Sequence, residues 1–361
     1  MSSLRETLER LLERQDLSED EADVLVTELT KPDVPPAMAG AILASLRTKG
    51  IVADEVRGFA RGMRRQARRP RIRAGIRAID IVGTGGDSSG SLNISTGTAL
   101  LTAACGVPVI KHGNRSISSK CGSADVLEAL GMQLPLDEEA AALCLEATNF
   151  TFLFAPHYHP ATKAVAPIRS ALGVRTIFNV LGPLTNPAEP SLHLIGAFSV
   201  EAAKLMADTL AGMPVERAFV IHGADGWDEP TPMGPFTIFD VRPGSVAVEV
   251  RSPEDYGLQT CEASSLAGAD AAHNAAALRA VLNGEEHGAH RDCLLLGAAL
   301  ALEVAGVTNS KREGVERAAE AIDNGAARHV IDGLTSFVDT VHFELEFDPI
   351  NDGPAPTQEL S

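Results

Sequence analysis

The chain has 361 residues, 31 of them Lys or Arg and 48 Asp or Glu, for a formal net charge of −17. That length suits an α/β domain of roughly 250 residues beside a smaller helical one, and that charge excludes broad attraction to nucleic acid or an anionic membrane surface. The five cysteines, Cys105, Cys121, Cys144, Cys261 and Cys293, are scattered with no C-x-x-C pair, which points away from a disulfide framework or a zinc site.

The first fifteen residues interleave Arg and Glu with Leu, so they lack the apolar core of a secretion signal, and a cytoplasmic protein is expected. Leu4, Leu8, Leu11 and Leu12 recur at helical spacing. Ser18 with Glu21 makes a capping box ahead of Val24, Leu25 and Leu29, and a further helix from Pro36 carries Met38, Ile42, Leu43 and Leu46. This helical domain, residues 1–70, ends in a segment with Arg61, Arg64, Arg65, Arg68, Arg69, Arg71, Arg73 and Arg77. It reads as a solvated helix end and linker, with an anion-binding patch as the competing reading.

From Ala78 short apolar runs alternate with amphipathic stretches. Strands are predicted at 79–82, 107–110, 152–154, 194–198, 218–221 and 246–250, and helices at 95–105, 123–130, 160–172, 200–213, 271–282, 289–304 and 311–325. That β-α-β-α order predicts a mainly parallel sheet covered by helices, an α/β catalytic domain over 78–345. The tail 348–361, with three prolines and little apolar content, reads as disordered. The longest apolar stretches, 97–110 and 294–307, fall short of the ~18 residues that cross a bilayer, and the second contains Glu303, so no membrane span is expected.

Chemistry concentrates after the strands. Gly83-Thr84-Gly85-Gly86-Asp87 follows the first, then Ser91 and Asn93-Ile94-Ser95-Thr96 at a helix start. Glycine-exposed amides, hydroxyls and a helix N-terminus together make a phosphate cradle, although no Gly-Lys-Ser/Thr of a nucleotide P-loop follows. The second strand ends in Lys111-His112-Gly113-Asn114-Arg115, and Ser116-Ile117-Ser118-Ser119-Lys120-Cys121-Gly122-Ser123 continues the loop. Both loops fall at strand carboxyl ends, where open α/β sheets place ligands, and a cationic cluster in so acidic a chain suits a polyphosphate. Farther on, Asp228 and Glu229 follow the predicted strand 218–221 in a Gly-containing segment that Pro230 closes. Adjacent acids on a strand would face opposite ways, so a loop is required if they are to serve neighbouring metal ions. His157 and His159 lack an evident third metal ligand, and residues 179–187 read as a turn-rich connector.

These motifs, with Gly122-Ser123-Ala124-Asp125-Val126-Leu127-Glu128-Ala129-Leu130-Gly131, resemble those of the anthranilate phosphoribosyltransferase family in order and spacing over about residues 4–340. The resemblance implies a small N-terminal helical domain, joined by a discontinuous segment near 165–190, and a larger α/β domain similar to the nucleoside phosphorylase/type III phosphoribosyltransferase fold. It implies a homodimer, tryptophan biosynthesis, and Mg2+, with two ions per monomer held by Ser95, Asp228 and Glu229. Phosphoribosyl pyrophosphate would meet Gly83, Gly86, Asp87, Ser91, Asn93, Ile94, Ser95, Thr96, Lys111, His112, Gly113, Asn114, Arg115, Ser116, Ile117, Ser118, Ser119 and Ser123. Anthranilate would meet Gly83, Asn114 and Arg169, the last as a guanidinium fork on its carboxylate, while Arg175 is expected to be structural. No residue is assigned as a catalytic acid or base. A pyrimidine nucleoside phosphorylase or an anthranilate-inactive relative on the same fold is the rival enzyme, and nucleic-acid recruitment by the arginine segment the rival binding role. Trp227 and Cys121 depart from the family's commoner smaller apolar residue and serine.

Overall fold

A computed structural model describes residues 3–87, 89–116 and 120–346, with side chains through Phe337. The expected disordered tail, 348–361, lies outside the described residues.

Four helices come first, Leu4–Leu12, Glu19–Leu29, Pro36–Lys49 and Ala53–Arg65. Ser3 with Glu6 and Ser18 with Glu21 form reciprocal capping boxes, satisfying amides that a helix start leaves unpaired. The arginine-rich segment is the exposed helix end and linker expected of it, Arg64 excepted, and most of its charges are paired. Arg61 pairs with Glu19, Asp20 and Asp23, Arg65 with Asp23, Arg71 with Glu139 and Arg77 with Glu216. Arg64 is buried against Glu189. Its charges are partnered by acids distant in sequence, which a local count of like charges does not see.

Among the described residues the strands are β1 (Ile79–Gly83), β2 (Val109–Gly113), β3 (Phe150–Phe154), β4 (Leu192–Gly196), β5 (Arg217–His222), β6 (Phe236–Arg242) and β7 (Ser245–Arg251). They lie in the order β3-β2-β1-β4-β5-β6-β7. The first five run parallel, and β6 and β7 continue the sheet antiparallel. The sequence pattern does not predict β6. It forms a hairpin with β7 across Pro243 and Gly244, whose φ of 72° supplies the left-handed turn residue. Three further departures are local. Residues 160–172 split into a 3-10 turn, Pro160–Ala164, and a helix, Ala166–Leu172, while helices Glu138–Thr148 and Ala326–Glu346 stand where none is expected.

Two apolar cores flank the sheet, because alternate strand residues point to opposite faces. Ile81, Leu194, Phe219 and Ile221 join helices Ile94–Ala104 and Ala289–Val304 on one face. Ile195, Ala197, Val220 and Phe239 join the N-terminal helices on the other, together with Val165, Ile168, Ile177, Phe178 and Leu181. Ile168 and Leu172 sit over Gly40 of the third helix, so residues 165–184 pack with the N-terminal layer although they are distant in sequence.

The chain leaves β1 towards β2 and β3 on one side, then returns to place β4 and β5 on the other. The carboxyl ends of β1 and β4 therefore flank the point where strand order reverses, the crevice in which open α/β sheets bind ligands.

Candidate active site

The site is built around how Asp228 and Glu229 pass the strand ends. A Cβ on Gly83 would lie 2.6 Å from Asp228 Oδ2, and one on Gly196 would lie 1.5 Å from the Asp228 carbonyl oxygen. The absence of side chains at these two positions lets the acidic segment cross directly over β1 and β4. Asp228 Oδ2 then accepts from the Gly85 amide and, at 3.3 Å, from the Thr84 hydroxyl. Gly85 and Gly86 have φ of 68° and 77°, so the turn that presents these amides needs residues free to enter the left-handed region.

Asp87 faces the same spot, its Oδ2 accepting from the Asp228 amide at 3.3 Å and its Oδ1 from the Ser89 amide and hydroxyl. Glu229 accepts at 3.2 Å from the Ser95 amide, in the first turn of helix Ile94–Ala104, where backbone N–H groups lack intrahelical partners. The carboxyls of Asp228 and Glu229 are both pushed well above the usual range. Burial is the main cause for both; the charge of Asp87 adds to it at Asp228, and the charges of Asp228 and Asp87 at Glu229.

Lys111 is the cation set against these acids. Its ammonium is buried, donating to the Ile81 carbonyl and, at 3.3 Å, to Ser95 Oγ, with Asp80, Glu229 and Asp228 opposing the burial that disfavours its charge. Among the described residues no cluster of three His, Cys, Asp or Glu side chains is arranged to hold a metal ion unaided. Two or three enclosed carboxylates beside a phosphate cradle nevertheless suit Mg2+, which takes few protein carboxylates and completes its shell with water and phosphate oxygens.

The second loop is held by its own charges. Arg115 pairs with Asp125 at 3.0 Å and with both oxygens of Glu128, and Asp125 also accepts from the Ser116 and Gly122 amides. Arg115 thus fastens the loop ends, while Asn114 Oδ1 accepts from the Arg115 amide and Ser123 begins helix Ser123–Ala129. Gly113 abuts the Phe152 ring. Ser91 Oγ lies 3.2 Å from Ser89 Oγ, and Ile94 and Thr96 are buried in the helix that starts the first cradle. Ile117, Ser118 and Ser119 lie outside the described residues.

Where the acceptor is expected, His112 Nδ1 is 3.1 Å from the Gly182 carbonyl, and its ring is 5.1 Å from that of His159. Burial holds both rings neutral, down to about 3 for His112 and about 4 for His159. Arg169 projects from helix Ala166–Leu172 over the Phe178 ring at 5.3 Å. Among the described residues no carboxylate pairs with it, and burial lowers its pKa. A half-buried guanidinium without an acid partner suits an incoming carboxylate. His157 lies 3.6 Å from Glu138. Arg175 does more than brace its own segment. It donates to the Gly86 carbonyl at 2.7 Å, stacks 3.8 Å from the Phe198 ring centroid, and its carbonyl accepts from Arg47.

Sequence reasoning missed Gly196 and Asn274. Gly196 carried one signal, its place at the end of an apolar run. Asn274, buried in helix Ala271–Leu282 and bonded to Asn93, carried none.

Signatures described as the helical bundle domain and the a/b domain of a glycosyl transferase family match residues 5–67 and 75–328. The chain is 44% identical over 336 residues to an anthranilate phosphoribosyltransferase of Desulforudis audaxviator, covering 93% of this chain and 96% of that one. It is 46% identical to one of Methylobacterium nodulans, covering 93% and 99%. Among solved structures, the anthranilate phosphoribosyltransferase of Thermus thermophilus aligns at a TM-score of 0.87 with 39% identity, covering 92% of this chain and 99% of that one. The Saccharomyces cerevisiae enzyme in complex with PRPP and Mg aligns at 0.85 with 26% identity, covering 93% and 98%.

Proposed function

This chain belongs to the anthranilate phosphoribosyltransferase family, and we infer that it transfers the 5-phosphoribosyl group of phosphoribosyl pyrophosphate to the amine of anthranilate, releasing pyrophosphate, in tryptophan biosynthesis. The observation that carries the inference is the Asp228-Glu229 segment laid across Gly83 and Gly196 beside the helix start at Ser95. It puts two acids beside a glycine turn and a helix N-terminus, which a magnesium pyrophosphate complex matches in charge and shape. The yeast relative in complex with PRPP and Mg supports both ligands, and another yeast structure in complex with 4-fluoroanthranilate supports the acceptor.

In this reading the stretches 83–96 and 111–123 hold the donor. Ser95, Asp228 and Glu229 hold Mg2+, two ions per monomer, with Asp87 adding charge. Bound there, magnesium would neutralise the pyrophosphate as it leaves. Gly83, Asn114 and Arg169 hold the acceptor, the guanidinium taking its carboxylate and aiming the amine at the anomeric carbon. The amine is a neutral nucleophile, so no general base is required. Bond breaking runs ahead of attack, as at other anomeric centres, and the chain contributes positioning and charge stabilisation. His112, neutral and bonded to Gly182, offers its other ring nitrogen beside the amine. The rest of the reading is a homodimer in the cytoplasm, built from a helical domain of residues 1–70 with 165–190 and a catalytic domain of 78–345. The core shared by Ile42, Ile168 and Phe178 supports the first grouping, and no helix among the described residues is long and apolar enough to cross a membrane.

The test is direct. Anthranilate fluorescence should fall when phosphoribosyl pyrophosphate and magnesium are added together and persist when either is omitted, and persistence with both present overturns the reading.

A further inference from the structure

The buried amide of Asn274 is used by nothing in the chemistry above, yet it ends on a residue of the donor cradle. Asn274 is 1% exposed, and both ends of its side chain are committed: Oδ1 accepts from the Ala269 amide at 2.7 Å, and Nδ2 donates to Asn93 Oδ1 at 2.9 Å. Asn93 Nδ2 donates in turn to the Cys121 carbonyl at 3.2 Å, and the Cys121 thiol borders both amides. One chain of hydrogen bonds therefore runs from helix Ala271–Leu282 through the first loop into the second.

Asn93 is placed oddly for this arrangement to be incidental. It is the residue before helix Ile94–Ala104, a position at which an asparagine side chain ordinarily accepts from the next turn's amides. Here its side chain makes no such bond. It is turned away from its own helix and bonded to Asn274 and Cys121, while the first helix amides take other acceptors, Ser95 N–H on Glu229 and Thr96 and Gly97 N–H on the Asn93 carbonyl.

A second contact holds the same loop from the same side. Ser91 and Ala267 form an antiparallel bridge, with the Leu92 amide donating to Leu266 at 3.0 Å and the Gly268 amide to Gly90 at 2.9 Å. A Cβ on Gly268 would lie 2.4 Å from the Ser91 carbonyl oxygen, so this strap is pressed flat against the loop. The strap runs directly into the helix that carries Asn274.

We propose that Asn274 is a positioning residue for the donor site, fixing the Asn93 amide so that the two phosphate-facing loops keep one relative geometry. The proposal rests on the reading of the Asn93 loop as the donor cradle. Asn274 touches no substrate, so its influence passes through Asn93. It belongs to the donor and not to the acceptor, since none of its contacts reaches Arg169.

The test is steady-state kinetics of the full-length enzyme with saturating magnesium, on Asn274→Ala, Asn274→Asp, Asn93→Ala and the Asn93→Ala/Asn274→Ala pair. Asn274→Asp keeps the bond from Ala269 but sets a carboxylate oxygen against Asn93 Oδ1, so it perturbs the bond at unchanged volume and covers the case in which the alanine variant does not fold. Both Asn274 variants should raise the KM for phosphoribosyl pyrophosphate about tenfold, the scale of one lost buried hydrogen bond. The KM for anthranilate should stay within about twofold, a split that general loosening of the fold would not give. The double variant should be no worse than Asn93→Ala alone, because residues acting in series do not add. An unchanged donor KM in both Asn274 variants, an equal rise in both KM values, or additive losses in the pair would overturn the proposal while leaving the donor reading intact. If Asn93→Ala itself leaves the donor KM unchanged, the donor reading fails and the proposal with it.

Discussion

Gly196→Ala adds one methyl group to a residue that touches no substrate, and it should nearly silence the enzyme. The new carbon would sit 1.5 Å from the Asp228 carbonyl oxygen and 2.6 Å from the Asp228 carbonyl carbon. Ordinary contact needs roughly 3.5 Å, so about 2 Å of separation must be found. β4 cannot supply it, because Gly196 is paired in register with Gly83 on one side and Ile221 on the other, within the parallel centre of the sheet. The acidic segment must move instead, taking with it the Asp228 carboxylate that Gly85 and Thr84 hold. Overpacking of this kind costs about 1–3 kcal/mol of stability, and a misplacement of about 1 Å at reacting groups costs about 100-fold in rate. The variant should therefore fold with a lowered Tm but show kcat/KM down at least about 100-fold in the continuous anthranilate fluorescence assay. Its half-saturating magnesium concentration should rise as well. A folded Gly196→Ala enzyme with wild-type kcat/KM and magnesium dependence would refute the claim that this glycine makes room for the metal-holding acids.

Three other outcomes are expected. Arg169→Ala should raise the KM for anthranilate by about 10–100-fold, the loss of a charge-assisted pair, with a smaller effect on phosphoribosyl pyrophosphate; an unchanged anthranilate KM would remove Arg169 from the acceptor site. Asp228→Asn with Glu229→Gln should abolish turnover at ordinary magnesium concentrations, and full turnover by that variant would end the metal assignment. The third concerns pH. Burial holds His112, His159 and His193 neutral down to about 3, 4 and 3, whereas in the unfolded chain they take up protons below about pH 6.5. Their contribution to stability is therefore complete above pH 6.5 and is lost as pH falls towards 4, at about 1.4 kcal/mol per pH unit for each histidine. Replacing His193, fully buried on β4, with Gln should make the pH dependence of urea unfolding between pH 4.5 and 6.5 shallower by about that amount. Identical slopes in the two proteins would count against it.

The parts of the site that could be read in the sequence are those whose signal is local. Gly83 to Asp87 and Lys111 to Arg115 stand directly after apolar runs, so their placement at strand ends followed from order alone. What could not be read depends on distance in space. Arg61 and Arg65 are exposed, as a run of like charge suggests, but their partners Glu19, Asp20 and Asp23 come from another helix. Arg115, expected at the donor, also pairs with Asp125 and Glu128, which lie ten and more residues further on. Gly196 and Asn274 matter through a backbone and an amide more than thirty residues away. β6 carries Phe, Thr, Ile, Phe and Val, residues that favour strands, interrupted by Asp240, and pairing with β5 and β7 completes it.

Arg175, bonded to Gly86, stacked on Phe198 and tied through its carbonyl to Arg47, stands at one joint between the glycine turn, the N-terminal layer and the stretch that carries Arg169. On the proposed assignment, one arginine therefore joins the donor's glycine turn to the segment that follows the acceptor helix. A substitution that reshapes residues 166–172 would then be felt, through Arg175, at the turn around Gly86 as well.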